Sequence, residues 1–407
     1  MRILFITDNF PPEVNAPASR TFEHCREWVR LGADVTIVTC APNFPQGKVF
    51  PGYRNKLFQR ELIDGIKVIR VWSYIAANDG FAKRIVDYIS FAMMAFWIGL
   101  FQKADVIVAT SPQFFTTFAG FALSKLKRRP WVFELRDLWP ESIVTVGAME
   151  KGRAIRMLEQ VERFMYRKAD LIVPVTDAFH RRLETYGIPA QKMHVVTNGV
   201  DTTLFPARAL NTALRSELNL QDKFVIGYIG THGMAHNLEF IVEAMTQLDD
   251  PDIHLLCLGD GARKAAVVEK TRKLGLSNMT FLDPVPKEQV HSYISALDAV
   301  LVPLRRSETF KTVIPSKIFE SAAMEKPILL GVDGQAREIV ERYNAGLYFE
   351  PENVQAFGRA VSTVKNDADL RLAYAAGGRA LSTDYDRKTL AKKMLDRIAI
   401  LAGTSYE

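Results

Sequence analysis

Cysteine is scarce in this chain: three in 407 residues, Cys25, Cys40 and Cys257, far apart and with no C-x-x-C pair. That argues against a disulfide framework or a zinc knuckle, and a reducing compartment is the simpler setting. There is also no apolar run long enough to span a bilayer comfortably, which takes about 20 residues. The opening MRILFITDNF reaches Asp8 after a short apolar stretch. It reads as a first buried strand rather than the core of a secretory leader, so a cytoplasmic protein is expected. Lys/Arg blocks with interleaved aromatics, zinc-finger spacing and RNA-recognition signatures are all missing, which speaks against nucleic acid. The net charge of +6, from 52 basic and 46 acidic side chains, permits an anionic substrate or an anionic membrane surface without demanding either. No D-x-D pair suited to a divalent metal stands at the end of an expected strand, so no metal and no other cofactor is expected.

What is present is length and apolar content, 407 residues at 48% hydrophobic, too much for one compact core and suited to two. Short β-branched runs alternate with amphipathic segments, the pattern of parallel strands joined by crossover helices. Strands are expected near 2–7, 34–39, 66–74, 105–110, 131–135, 171–175 and 194–197, then near 224–229, 254–258, 279–282, 299–303 and 327–331. This is an α/β plan of two Rossmann-like domains, 1–200 and 220–385, joined by a linker at 201–219. The final 386–407 segment, a helix with no strand after it, should return to the domain junction. Two doubly wound sheets place strand-to-helix loops along a cleft, and function is expected there.

One segment interrupts this pattern. Residues 88–101 read YISFAMMAFWIGLF, fourteen residues without charge, with Lys83 and Arg84 before them and Lys103 after. A buried crossover helix and a monotopic membrane contact, with Trp97 at the interface and basic flanks on anionic lipid, both fit.

The second half contains LCLGDGARKAAVVEKTRKLGLSNMTFLDPVPKEQVHSYISALDAVLVPLR from Leu256 to Arg305, then PSKIFESAAMEKP from Pro315 to Pro327. VVTNGVD covers 195–201, and DNFPPEVNAPASRTFEHCREWVRLGADVTIVT opens at Asp8. These segments, in this order and over almost the entire chain, resemble the family 4 retaining glycosyltransferases of the GT-B fold. The P-S-K-I-x-E helix is similar to that of the bacterial surface-polysaccharide branch. The resemblance implies a cytoplasmic, metal-independent transferase, free or peripheral on the cytoplasmic membrane face, with a donor nucleotide sugar held by the C-terminal half. By analogy with that branch, the donor is expected to be a UDP-linked N-acetylated amino sugar such as an L-fucosamine derivative. The acceptor is expected to be a saccharide on a polyprenyl diphosphate. A non-hydrolysing nucleotide-sugar epimerase, or a non-catalytic sugar-nucleotide-binding protein, would share the two-domain layout.

Particular residues follow. Gly259 and Gly261 bracket Asp260 after an apolar strand, where a sharp turn can leave N–H groups open to an anion or base. Pro315 can open a helix whose first amides, at Ser316 and Lys317, suit a diphosphate, with Ile318 next in the motif. Lys317 adds charge, and Glu320, on the same helical face, can accept from ribose hydroxyls. Val285, the first residue of the V-P-x-E-x-V motif, completes the donor set. The family pattern has a second glutamate eight positions before Glu320, where this chain has Thr312; Glu308 is out of register. In GYIGTHGMAHNLEF, Gly230 and Gly233 allow a phosphate near the backbone. There His232 and His236 stand where many relatives have Arg and Lys, as neutral or partly protonated donors rather than metal ligands. On the acceptor side, FELRDLWPES brings Arg136, Asp137 and Glu141 to a strand end, with Arg136 in place of a common histidine. Asp137 and Glu13 are the candidates for contacting sugar or nucleophile, with Ala16, Ser19, Arg20 and Asn198 around them.

Overall fold

The computed structural model describes residues 1–13, 15–44, 46–75, 81–111, 113–139, 152–248 and 250–406. They form two compact units, Met1–Thr197 with Arg387–Glu407, and Asn198–Asp386.

In the first unit, β1 (Arg2–Ile6), β2 (Asp34–Cys40), β3 (Phe58–Ile63), β4 (Ile66–Val71), β5 (Val106–Thr110), β6 (Trp131–Leu135) and β7 (Leu171–Pro174) form one sheet. Their order is β3-β4-β2-β1-β5-β6-β7. All neighbours are parallel except the β3–β4 hairpin. Helices cover both faces, which is why strands such as VIVAT are buried at every position. β3 escaped the sequence reading because it is an edge strand whose residues alternate between exposed and half-buried. The signal was Asp64-Gly65, a two-residue turn with φ of 48° and 81° between β-type runs. The expected strand at 194–197 is replaced by a single bridge, Met193 to Ile172.

Helix Ala16–Arg30 starts where Asn15 accepts the Ala18 amide at 2.8 Å. The last helix, Arg387–Ala402, belongs to this first unit. It buries Leu390, Ala391, Met394, Leu395 and Ile398 in the cluster that contains Ile3, Trp28 and Val35. Trp28 Nε1 donates to the Ala391 carbonyl at 2.8 Å. Helix Phe81–Leu100 is core on one face and exposed on the other, so the buried-helix reading of 88–101 describes only its inward residues. Phe91 and Ala95 are buried in the core, while Val86, Ile89 and Met93 are exposed, as are Trp97 (56%) and Phe101 (80%).

The second unit holds β8 (Phe224–Ile229), β9 (Ile253–Leu258), β10 (Met279–Leu282), β11 (Ala299–Pro303), β12 (Ile328–Gly331) and β13 (Gly346–Tyr348), all parallel, in the order β10-β9-β8-β11-β12-β13. The stretch 201–219 is not a bare linker. It carries helix Thr212–Glu217, its Phe205 is buried in the core beside Leu220, and Arg215 donates to the Ala296 carbonyl at 2.8 Å and to Asp298 at 2.6 Å. In each sheet the strand order reverses once, at β1/β5 and at β8/β11, and open α/β sheets bind ligands outside the strand ends at such a point.

Candidate active site

In the second unit the loops after β8 and β9 are joined backbone to backbone: His232 N donates to the Asp260 carbonyl at 2.8 Å, and Arg263 N to the His232 carbonyl at 2.9 Å. Only glycine fits the tightest point, since a Cβ on Gly259 (φ 142°) would stand 2.0 Å from the Gly230 carbonyl oxygen. The amides here are not open donors, contrary to the expectation from G-x-G. Gly230 N bonds the Leu258 carbonyl at 2.9 Å, Gly259 N the Leu282 carbonyl at 3.2 Å, and Gly261 N the carboxylate of Asp260 at 2.8 Å. The glycines supply close approach, and hydrogen bonds must come from elsewhere.

Lys317 is one source. Its ammonium lies 4.9 Å from the centre of the Tyr228 ring, and a Cβ on Gly230 would be 2.8 Å from Nζ. Loss of water drops its pKa from 10.5 to about 8, a fall that Glu320 only partly offsets. Glu320 is raised by burial, with Lys287 and Lys317 pulling the other way. As first-turn amides, Ser316 and Lys317 have no acceptor within their helix.

His232 is fully buried between the rings of Tyr228 and Phe281, 5.5 and 6.4 Å away, and neither of its ring nitrogens has a hydrogen-bond partner. Burial and then Lys264 lower its pKa, and burial takes His236 to about 4. Both rings are therefore neutral at pH 7, each with one N–H to give. Among the described residues no group of three His, Cys, Asp or Glu could hold a metal.

Other members of the donor set fall in different places. Asp260 is exposed, and Gly233 and Val285 are half-buried. Ile318 is a core residue whose side chain cannot meet a ligand. Thr312 closes a 3₁₀ turn by donating to the Thr309 carbonyl at 2.8 Å, and Glu308 pairs with Lys311 at 2.6 Å. Missed in the sequence was a cavity of about 110 Å³ at the ends of β11, β12 and β13, lined by Arg305, Lys311, Asp333 and Tyr348 among others.

In the first unit several acceptor-side candidates prove to be framework. Glu13 is 3% exposed, and its Oε1 accepts the amides of Asn43 and Phe44 at 2.7 and 2.9 Å. Arg20 is buried, bonded to Glu134 at 2.9 Å and to the carbonyls of Thr197 and Val196 at 2.6 and 2.7 Å. Arg136 holds the carbonyls of Pro17 and Ala16, both at 3.0 Å, and burial lowers its pKa to about 10. Glu13 ties the loop before helix Ala16–Arg30 to the loop after β2, while Arg20 and Arg136 tie the start of that helix to β6 and its carboxyl end. Asp137 is half-buried, its amide 3.3 Å from Ser111 Oγ; Ala16 is exposed and Ser19 half-buried. Asn198 is the first residue of the second unit, and Glu141 lies outside the described residues. Two carboxylates not singled out in the sequence, Asp8 and Asp87, also reach this strand edge.

Residues 15–199 match the family described as "Glycosyl transferase 4-like domain", and residues 211–381 match "Glycosyl transferases group 1". The glycosyl transferase WcaI of Escherichia coli K12, named for colanic acid biosynthesis, is 25% identical over 377 residues, covering 88% of this chain and 90% of that protein. TuaH of Bacillus subtilis strain 168, named for teichuronic acid biosynthesis, is 28% identical over 218 residues, about half of each chain at 52% and 53%. Among solved structures, Anabaena HepE in complex with UDP-glucose superposes with a TM-score of 0.72 at 18% identity, covering 98% of this chain and 100% of that one. Two α/β units with parallel-strand sheets, each half matched by a glycosyltransferase family, make this chain a glycosyltransferase of the GT-B fold, in the family 4 group.

Proposed function

We propose that this enzyme transfers a sugar, an N-acetylated amino sugar in our reading, from a UDP-sugar to a lipid-linked saccharide during bacterial surface-polysaccharide synthesis, with retention at the anomeric carbon. The observation that carries the donor half is the cradle at the β8 and β9 ends. There the backbone approaches closely, Lys317 has no carboxylate within ion-pair distance among the described residues, and the buried His232 ring has both nitrogens unpartnered. A departing diphosphate needs its growing charge met by groups already in place. Lys317 supplies charge, a neutral His232 can supply an N–H, and the Ser316 and Lys317 amides add donors at a helix start. Glu320 suits ribose hydroxyls. The acceptor proton can leave with the diphosphate, so no separate base is required.

The pathway assignment leans on relatives named for colanic and teichuronic acid biosynthesis, and the uracil base on a structural neighbour described in complex with UDP-glucose. A lipid-linked acceptor agrees with the exposed Met93, Trp97 and Phe101 and with Lys103 beside them, a surface suited to peripheral contact with the cytoplasmic face of a membrane. The test is UDP release from a panel of UDP-sugars, with and without lipid-linked oligosaccharide extracted from the host. Release that depends on the acceptor supports the proposal. Turnover without acceptor would favour an epimerase, and binding without turnover a non-catalytic role.

A further inference from the structure

The carboxyl edge of the first sheet carries polar groups that the donor reading leaves unused. The order β4-β2-β1-β5-β6 sets the strand ends side by side, so Ser73, Cys40, Asp8, Ser111 and Arg136 follow one another along the edge. The order reverses between β1 and β5, and Asp8 stands at that point, half-buried. Its surroundings are rigid. The Asp8 carbonyl accepts from Thr39 Oγ1 at 3.1 Å and Cys40 Sγ at 3.2 Å, and Arg70 ties the Cys40 and Pro11 carbonyls together at 3.0 and 2.5 Å.

Asp87 reaches the same edge from helix Phe81–Leu100. Ser90 Oγ pins that helix to the end of β4, donating to the Asp87 carbonyl and accepting the Tyr74 amide, both at 2.8 Å. Asp87 falls in line with Phe91 and Ala95 on the inward face. The two carboxylates sense one another: burial and then Asp8 raise Asp87 to about 6, while Asp8 is raised by burial and eased by Asn9 and Arg136. Two further buried groups line this edge, and one of them has an oxygen that lacks a partner. Ser73 is 0% exposed, and its hydroxyl is the hydrogen-bonding neighbour that draws Asp87 down against the effect of burial. Glu13, in the field of Asp8, has its second oxygen unpartnered. Buried polar atoms rarely stay so.

We propose that Asp8 and Asp87 accept hydroxyl groups of the acceptor sugar, making this edge the polar half of a site for a glycoside with an apolar tail. This rests on the glycosyltransferase reading. A polyol suits the chemistry, because ionised carboxylates only accept hydrogen bonds and hydroxyls donate them. A metal does not suit it, since no metal-holding group occurs among the described residues. The placement also joins two properties of one helix, with Asp87 inward at the sheet edge and Val86, Ile89, Met93 and Trp97 outward. A sugar held by Asp87 would have its tail beside the exposed apolar stripe.

The test uses the whole chain and octyl β-D-glucopyranoside below its critical micelle concentration, observed by saturation-transfer NMR, with octanol as the tail-only control and calorimetric UDP binding as a check on the other unit. Wild type should bind the glucoside better than octanol. D87N and D8N, both isosteric, should each weaken glucoside binding about fivefold or more and leave UDP affinity and melting temperature unchanged. Glucoside binding by both variants as tight as by wild type, no glucoside binding by wild type, or equal binding of octanol and glucoside would each overturn the assignment. Absence of UDP binding in all three proteins would instead defeat the donor reading, and the glucoside comparison would still decide the role of the aspartates.

Discussion

Lys317 offers the sharpest test of the donor site, because its charge is already weakened before any ligand arrives. With a pKa of about 8 instead of 10.5, the free ammonium is mostly charged at pH 7 and mostly neutral at pH 9. A diphosphate beside it would favour the charged form and restore an ordinary value, about 2.5 units or roughly 3.4 kcal/mol of coupling at the limit. The sign follows: binding takes up a proton above pH 8, so UDP affinity should be full at pH 7 and fall as pH rises through the free-state pKa. Between pH 7 and 9 the loss is about tenfold by this linkage. Calorimetry in two buffers of different ionisation enthalpy should show uptake of close to one proton per UDP near pH 9. Uridine, which lacks phosphates, should show little change over the same range and controls for ionisation of the base. Lys317→Met should bind UDP weakly at every pH and abolish the proton uptake. A flat UDP affinity from pH 7 to 9 in the wild type would refute the contact between Lys317 and the diphosphate.

Glu320→Gln should weaken UDP and uridine alike, by roughly 1–2 kcal/mol, the difference between charged and neutral hydrogen bonds to ribose; calorimetry with both ligands separates it from Lys317→Met. Gly259→Ala must find room for a methyl group 2.0 Å from the Gly230 carbonyl at φ 142°, so it should cost more than about 3 kcal/mol by urea denaturation and abolish UDP binding. Trp97→Ser with Phe101→Ser removes exposed rings only, so the melting temperature should hold while co-sedimentation with vesicles containing phosphatidylglycerol falls; a large drop in stability would show those rings to be core. Activity should survive EDTA, and complete loss restored by Mn²⁺ or Mg²⁺ would rule out charge stabilisation by side chains and amides alone.

The parallel strands were legible because burial on both faces leaves continuous β-branched runs, as in VIVAT and AVLVP. β3 was not, since one of its edges is unpaired and its alternating pattern carries half the signal; β13 is three residues long. Site residues were harder, because residue type shows what a side chain can do but not whether it is already engaged. Glu13, Arg20 and Arg136 have the chemistry of an acceptor site, yet each spends hydrogen bonds on the backbone or a buried partner far away in sequence, as Arg20 does with Glu134 and Thr197. Ile318 shares a motif with Lys317 and points into the core. Asp8 and Asp87 were invisible for the opposite reason: they are 79 positions apart and become neighbours only through the strand order.

Helix Arg387–Ala402 completes the apolar cluster that begins at Ile3, which makes residues 198–386 an insertion within the first unit. During synthesis, therefore, the amino-terminal sheet must wait for the last helix before its hydrophobic face is closed, while the inserted unit can finish folding beforehand. Truncation from the carboxyl end should expose Ile3, Trp28 and Val35 and yield aggregating protein. Joining residue 197 directly to residue 387 through a short flexible linker should instead give the first unit as a self-contained domain, and 198–386 alone should be obtainable as the second.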